Sequence, residues 1–99
     1  MPYPVRYSQR AYIEYEDLIE YVFNNFGIAV AAKVDTYFEQ VVNQISINPL
    51  LYPCSEKKKN IRRCVISFQT TLYYRFDGEH VELISFRGNK MNPKSLALE

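Results

Sequence analysis

The sequence has little of what small enzymes and small secreted scaffolds rely on. Of 99 residues, two are cysteine, three are glycine, one is histidine and none is tryptophan. Cys54 and Cys64 form no Cys-x-x-Cys pattern and have no histidine close by, so a zinc site lacks ligands. A disulfide-held secreted domain would carry more cysteines, and both thiols read as reduced, in a cytoplasmic protein. With only Gly27, Gly78 and Gly88, no glycine-rich phosphate loop can be written. Any Ser-His-Asp or Cys-His arrangement would have to use His80, which sits at an expected turn beside Glu79. No run approaches transmembrane length, and Met1–Ser8 lacks the apolar core of a signal peptide. Neither a metal nor a cofactor is expected.

What is present is apolar and aromatic. A hydrophobic fraction of 47% with 15% aromatics argues against disorder and for one domain over residues 1–99. The net charge is only +1, but its distribution is uneven. Residues 1–50 hold three basic and six acidic side chains, whereas residues 51–99 hold nine basic and five acidic. That asymmetry fits a solvated surface, or one positive face for nucleic acid or an acidic partner. The run Lys57-Lys58-Lys59 has the same two readings, a solvated loop or a phosphate-contacting edge.

The chain is organised around Ile61–Pro93. Three strand-like runs, Ile61–Phe68, Thr70–Phe76 and Val81–Phe86, are rich in β-branched and aromatic residues. Asp77-Gly78 between the last two is a hairpin signal. In the second run Leu72, Tyr74 and Phe76 share one face, which should meet helices, and Thr71, Tyr73 and Arg75 share the other. The third run is apolar on both faces and should lie inside the sheet.

Upstream, Tyr3–Tyr7 reads as a short edge strand restricted by Pro2 and Pro4, and Ser8 as an N-cap. From Gln9 to Phe26 the period is helical. Ala11, Tyr15, Leu18, Val22 and Phe26 form its stripe, widened by Tyr12, Ile19 and Phe23, and Glu14, Glu16, Asp17 and Glu20 lie opposite. Acids toward its start suit the macrodipole, and Gly27 can take a left-handed C′ position. A second helix is expected from about Ala29 to Ile47, with Ala31, Val34, Phe38, Val41 and Ile45 inside and Ala32, Tyr37 and Val42 extending that face. Asn48-Pro49 ends it. The order β-α-α-β-β-β makes an α+β fold, a helical hairpin packed on a mostly antiparallel sheet. The acids of the first helix follow surface spacing and need no acid–base role. The chemistry left over is a set of cations and phenols, Arg62, Arg63, Tyr73, Arg75, Arg87 and Lys90, suited to phosphates and bases or to a partner's acids.

A family resemblance rests on Ser8-Gln9-Arg10-Ala11 opening a helix, Ile19-Glu20-Tyr21-Val22 and Phe26-Gly27 closing it, and Asn48-Pro49 before the loop. Asn60-Ile61-Arg62-Arg63, Leu72-Tyr73-Tyr74-Arg75 and the closing Arg87-Gly88-Asn89-Lys90-Met91-Asn92-Pro93 complete it. In this order the segments resemble the RelE/ParE superfamily of type II toxin–antitoxin toxins, and within it the ParE-like, plasmid-stabilisation branch. The resemblance spans about Val5 to Leu96 and implies the same β-α-α-β-β-β order.

It also implies a cytoplasmic bacterial toxin that inhibits growth and is neutralised by a cognate antitoxin. Assembly would be as a homodimer or as a heterotetramer with the antitoxin, with no membrane involved. RelE-like members cleave mRNA on the ribosome and ParE-like members poison DNA gyrase. If this chain were a ribonuclease, the resemblance would assign catalysis to Arg62, Arg63, Arg75 and Lys90. Otherwise Arg62, Arg63, Tyr73, Arg75, Arg87 and Lys90 would bind target or antitoxin. The ribonuclease branch usually shows Gly-Tyr-Arg-Leu-Val-Tyr in its central strand, the Arg contacting the scissile phosphate. Here the matching stretch is Gln69-Thr70-Thr71-Leu72-Tyr73-Tyr74, so Thr71 stands in that place. No tyrosine follows Tyr74 to supply that branch's late phenol. Both departures favour the ParE-like reading, and they also fit a degenerate member that still binds antitoxin but has lost toxicity.

Overall fold

The computed structural model describes residues 2–55, 58, 60–66 and 70–88. Six elements follow in the expected order: β1 (Val5–Tyr7), α1 (Gln9–Phe26), α2 (Ile28–Ile47), β2 (Arg62–Ile66), β3 (Thr70–Phe76) and β4 (Val81–Gly88). The sheet runs β1-β4-β3-β2. β2, β3 and β4 are antiparallel neighbours, and β1 adds to β4 in parallel. Of the first expected strand, residues 67–68 lie outside the described residues.

One serine starts α1 and ties it to the sheet. Ser8 Oγ accepts from the Ala11 amide at 2.9 Å and donates to the Ile84 carbonyl at 2.9 Å, and the Ser8 amide donates to the Leu83 carbonyl at 2.9 Å. An N-cap is worth about 1 kcal/mol; here it also sets the distance between helix and strand. Gly27 alone links the helices. Its amide closes α1 on the Phe23 carbonyl at 3.0 Å and its carbonyl opens α2 by accepting from Ala31 at 3.1 Å. Its φ of 91° is positive as expected, but ψ is 172°, an extended rather than a left-handed helical conformation. That region is essentially glycine's own, and it lets α2 begin at Ile28.

Helices and sheet meet over one core. Leu72, Tyr74, Val81, Leu83 and Phe86 from the central strands, with Cys64 and Ile66 from β2, pack against Ala11, Leu18 and Val22 of α1 and the whole expected inner stripe of α2. Phe38 and Phe86 stack with rings 6.0 Å apart, and Tyr15 leans on both at 5.5 and 5.4 Å. The Tyr74 hydroxyl, fully buried, donates to the Pro49 carbonyl at 2.8 Å. Phe26, Tyr12 and Phe23, expected along the buried stripe of α1, are instead half exposed. They lie at the end or on the flank of the helix, beyond the width the sheet covers.

Two further expectations are corrected. No acid stands in the first turn of α1. Glu14 is no surface acid: Ser85 Oγ donates to its carboxylate at 2.8 Å and the Phe86 amide at 2.9 Å. The reason is a bulge. Tyr73 pairs with Ser85 and Tyr74 with Leu83, so Ile84 is the extra residue. β1 stops pairing at Leu83, and past that point Ser8 and Glu14 take over the open edge of β4.

Candidate binding faces

Alternation on the strands sorts the cations. On β2, Cys64 and Ile66 are buried while Arg63 and Val65 are exposed, so Arg62 and Arg63 leave the backbone on opposite sides. Arg62 faces inward and its guanidinium donates to the Tyr52 carbonyl at 2.6 Å. It holds the loop that bridges β2 at Cys54, where the Arg63 amide donates to the Pro53 carbonyl at 3.0 Å.

The outer face, away from the helices, carries Arg63, Val65, Thr71, Tyr73 and Arg75, continued across β4 in register. Thr71 lies opposite Arg87, Tyr73 opposite Arg63 and Ser85, and Arg75 opposite Glu82. Arg75 donates to the Glu82 carboxylate, and Arg6 of β1 is Glu82's register partner on the other side. Arg63 and Arg87 are exposed and form no ion pair among the described residues. Thus the structure gathers Arg63, Tyr73, Arg75 and Arg87 on one face and sets Arg62 apart. Lys90 lies outside the described residues, as do Lys57 and Lys59.

Sequence reasoning missed Glu82 and Arg6 on this face, since only strand register reveals them. Glu14 was also missed, because its spacing along α1 is that of a surface acid. Burial pushes the Glu14 carboxyl up, but hydrogen bonds from Ser85, Arg10 and the Phe86 amide outweigh it and hold it below the usual range.

The hairpin face differs in character. The Tyr15 hydroxyl donates to Asp35 and ties α1 to α2. Burial, then that acceptor, push the Tyr15 phenol upward. Burial with Asp35 and Glu39 nearby does the same to Tyr7. Under β2, the Cys64 thiol beside Tyr52, together with burial, pushes that phenol up to about 12. Cys64 is buried, which raises its own thiol, and Cys54 is exposed; both are free. At the β3–β4 turn, Asp77 accepts from the backbone amides of Glu79 and His80 at 2.8 and 2.7 Å. His80 is therefore part of the turn, and its Nδ1 lies 3.7 Å from the Asp77 carboxylate. Among the described residues no group of three or more His, Cys, Asp or Glu side chains could hold a metal ion, and no helix is long and apolar enough to cross a membrane.

Comparison with known proteins agrees with this architecture. A family model described as the ParE toxin of the type II toxin–antitoxin system parDE matches residues 5–93. Among curated proteins no relative matches. The chromosomal ParDE toxin–antitoxin system from P. aeruginosa contains a chain with TM-score 0.74 at 9% identity, covering 87% of this chain and 95% of that one. The YoeB dimer from Staphylococcus aureus gives 0.59 at 18% identity, covering 88% and 97%. A conserved hypothetical protein from Helicobacter pylori, solved in solution, gives 0.57 at 16% identity, covering 89% and 96%. At such identities the structures speak for the fold, a helical hairpin on a four-stranded mixed sheet, and the family match speaks for descent. With nearly its whole length covered by that match, the chain belongs to the ParE toxin family, within the RelE/ParE superfamily of type II toxin–antitoxin toxins.

Proposed function

We propose that this toxin acts as a binding protein of the ParE kind, which inhibits growth by engaging a target such as DNA gyrase and is neutralised by a cognate antitoxin. The observation that carries this reading is the state of the outer sheet face. Arg63, Arg87 and Tyr73 offer charge and a phenol, but the carboxylate that register places there, Glu82, is already paired with Arg75. Ribonucleolytic in-line attack needs a base for the 2′-hydroxyl, an acid for the leaving oxygen and fixed cations at the phosphate. Thr71 stands where the ribonuclease branch has its phosphate-contacting arginine, and it is buried. A hydroxyl offers one donor where a guanidinium offers a planar fork.

The ribonuclease reading has one observation in its favour. Arg87, the register partner of Thr71, brings a cation to the neighbouring strand. The test is induced expression followed by two assays. Supercoiling by purified gyrase should be inhibited, and mRNA in translating ribosomes should stay intact. Cleavage of ribosome-bound mRNA that Arg63→Ala or Arg87→Ala abolishes would replace this reading with the enzymatic one.

A further inference from the structure

The two cysteines of the chain come together under the edge of β2, on the side away from the outer-face cations. Cys54 pairs with Arg62 in an isolated antiparallel bridge. The Arg63 amide on the Pro53 carbonyl and the Ser55 amide on the Ile61 carbonyl flank that pair, which makes it the close, non-hydrogen-bonded type. Opposed residues of antiparallel strands point to one side, and Cys64, two residues beyond Arg62, points there too. Arg62 faces inward, so all three side chains do. A second observation agrees: both thiols act on the phenol of Tyr74, which is fully buried on that side. The Tyr52 hydroxyl, from the same loop as Cys54, hydrogen-bonds Cys64.

The two thiols differ in access. Cys54 is exposed, whereas Cys64 is only 2% exposed. They are diagonal neighbours across the bridge, a relation that sets Cα atoms roughly 7–8 Å apart and Cβ atoms somewhat less. A disulfide spans up to about 6.8 Å between Cα atoms, so closing one asks for a movement on the order of 1 Å. The loop can supply it, because Cys54 lies outside the strands and its pairing with β2 is a single bridge. An open thiol with a covered one behind it is the arrangement in which cysteine oxidation stays reversible. Without the second thiol, the first runs on to sulfinic acid.

We propose that Cys54 is a site of oxidation by peroxides and that Cys64 resolves it as a reversible intramolecular disulfide. The Cys54 thiolate attacks one oxygen of the peroxide and the O–O bond breaks. The sulfur becomes a sulfenic acid, and the second oxygen leaves as hydroxide, which takes the proton released by the thiol and becomes water. The Cys64 sulfur then attacks the Cys54 sulfur. The S–O bond breaks, and the departing hydroxide leaves as water with the proton of the Cys64 thiol. Two electrons pass from the thiol pair to one peroxide, and a dithiol reductant restores both thiols by exchange. The bridge would fasten the loop to β2 beside Arg63, whose amide already holds Pro53. It therefore acts on the strand that carries an exposed cation of the outer face, whatever target the toxin engages.

The test is hydrogen peroxide added to the reduced full chain, followed by alkylation of the remaining thiols. Mass spectrometry should show an unalkylated monomer that has lost two hydrogen atoms, and a non-reducing digest should yield one linked peptide pair holding Cys54 and Cys64. Dithiothreitol should restore both thiols. In the bridged chain Tyr52 no longer has the Cys64 thiol that helps to hold its phenol near 12, so its tyrosinate band should appear at lower pH. The urea midpoint of unfolding should rise, because the bridge constrains the unfolded chain. In Cys64→Ser, dimedone should trap a sulfenic acid on Cys54 that it does not trap in wild type, and in Cys54→Ser the same dose of peroxide should leave Cys64 reduced. Disulfide-linked dimers through Cys54, a sulfinic acid on Cys54 with Cys64 still reduced, or two thiols that survive peroxide would each overturn the proposal. If circular dichroism shows Cys64→Ser to be unfolded, the wild-type digest and Cys54→Ser decide the matter by themselves.

Discussion

Replacing Glu14 is the most informative single perturbation of the fold. Its carboxylate accepts from Ser85 Oγ at 2.8 Å, from the Phe86 amide at 2.9 Å and from Arg10 Nε at 3.1 Å. The Arg10 pair is exposed and contributes at most a few tenths of a kcal/mol. The other two are charge-assisted bonds in a partly buried place, each worth roughly 1.5–3 kcal/mol. Glu14→Ala also leaves the Phe86 amide to find water at an edge that the helix half covers. A loss of about 3 kcal/mol follows, a large share of the roughly 5–15 kcal/mol that holds a domain of this kind. In thermal unfolding that corresponds to a drop of roughly 12–24 °C. Glu14→Gln retains an acceptor and should lose about half as much.

The pH dependence gives the independent check. The folded-state pKa of Glu14 is lowered, so its contribution is present above the unfolded carboxylate value of about 4.3 and is lost as pH falls through the depressed folded value. Wild type and Glu14→Gln should therefore differ at pH 7 and converge in acid, measured by urea unfolding across pH. If Glu14→Ala unfolds within ~0.5 kcal/mol of wild type, or its stability gap to wild type does not shrink in acid, the carboxylate does not hold the β4 edge.

Other outcomes follow from the same packing. Leu18→Ala and Phe38→Ala, both in the core, should each cost about 2–5 kcal/mol in denaturant unfolding. Gly27→Ala should cost about 1–3 kcal/mol although a Cβ would meet nothing within 4 Å, because φ of 91° with ψ of 172° is the obstacle. Tyr15, Tyr52 and Tyr74 all have raised phenol pKa values, so the stability they bring is intact below about pH 10 and lost as pH rises through the folded values. Absorbance at the tyrosinate band should show Tyr52 titrating near 12, and Cys64→Ala should bring it down. Charge reversal at Arg63 and Arg87 together should weaken the antitoxin complex and flatten its salt dependence, while Arg62→Glu should chiefly loosen the loop it holds through Tyr52.

The helices were legible because their apolar period is intact: Ala31, Val34, Phe38, Val41 and Ile45 of α2 are all buried, whereas Ala32 and Tyr37, expected to extend that face, are exposed and Val42 is half-buried. The β3–β4 hairpin was legible because Asp77-Gly78 lies between two apolar runs, and Gly78 does take a positive φ of 97°, within a connection that runs from Asp77 to His80. The limits came where one element borrows from another. Glu14 has the spacing of a surface acid, and nothing local says that a strand 71 residues downstream will offer it a hydroxyl and an amide. The bulge at Ile84 is equally silent, yet it moves Phe86 onto the core beside Phe38 and Tyr15. For the candidate site, residue types were readable but sides were not. Arg62 and Arg63 read as one basic pair, and strand alternation makes one a structural anchor and the other a surface cation.

That separation of sides explains how a chain of net charge +1 can present two strongly charged faces. The acids of residues 1–50 lie on the hairpin, and the sheet, placed between hairpin and solvent, carries Arg63, Arg75 and Arg87 on the far side. Between the two faces lies an apolar core rather than water, but each face contacts solvent and is screened within about 10 Å at ordinary salt. Neither charge cancels the other at close range, so each recruits its own complement. A partner that covers only one face leaves the other free to act, whereas one that covers both must change charge sign along its length.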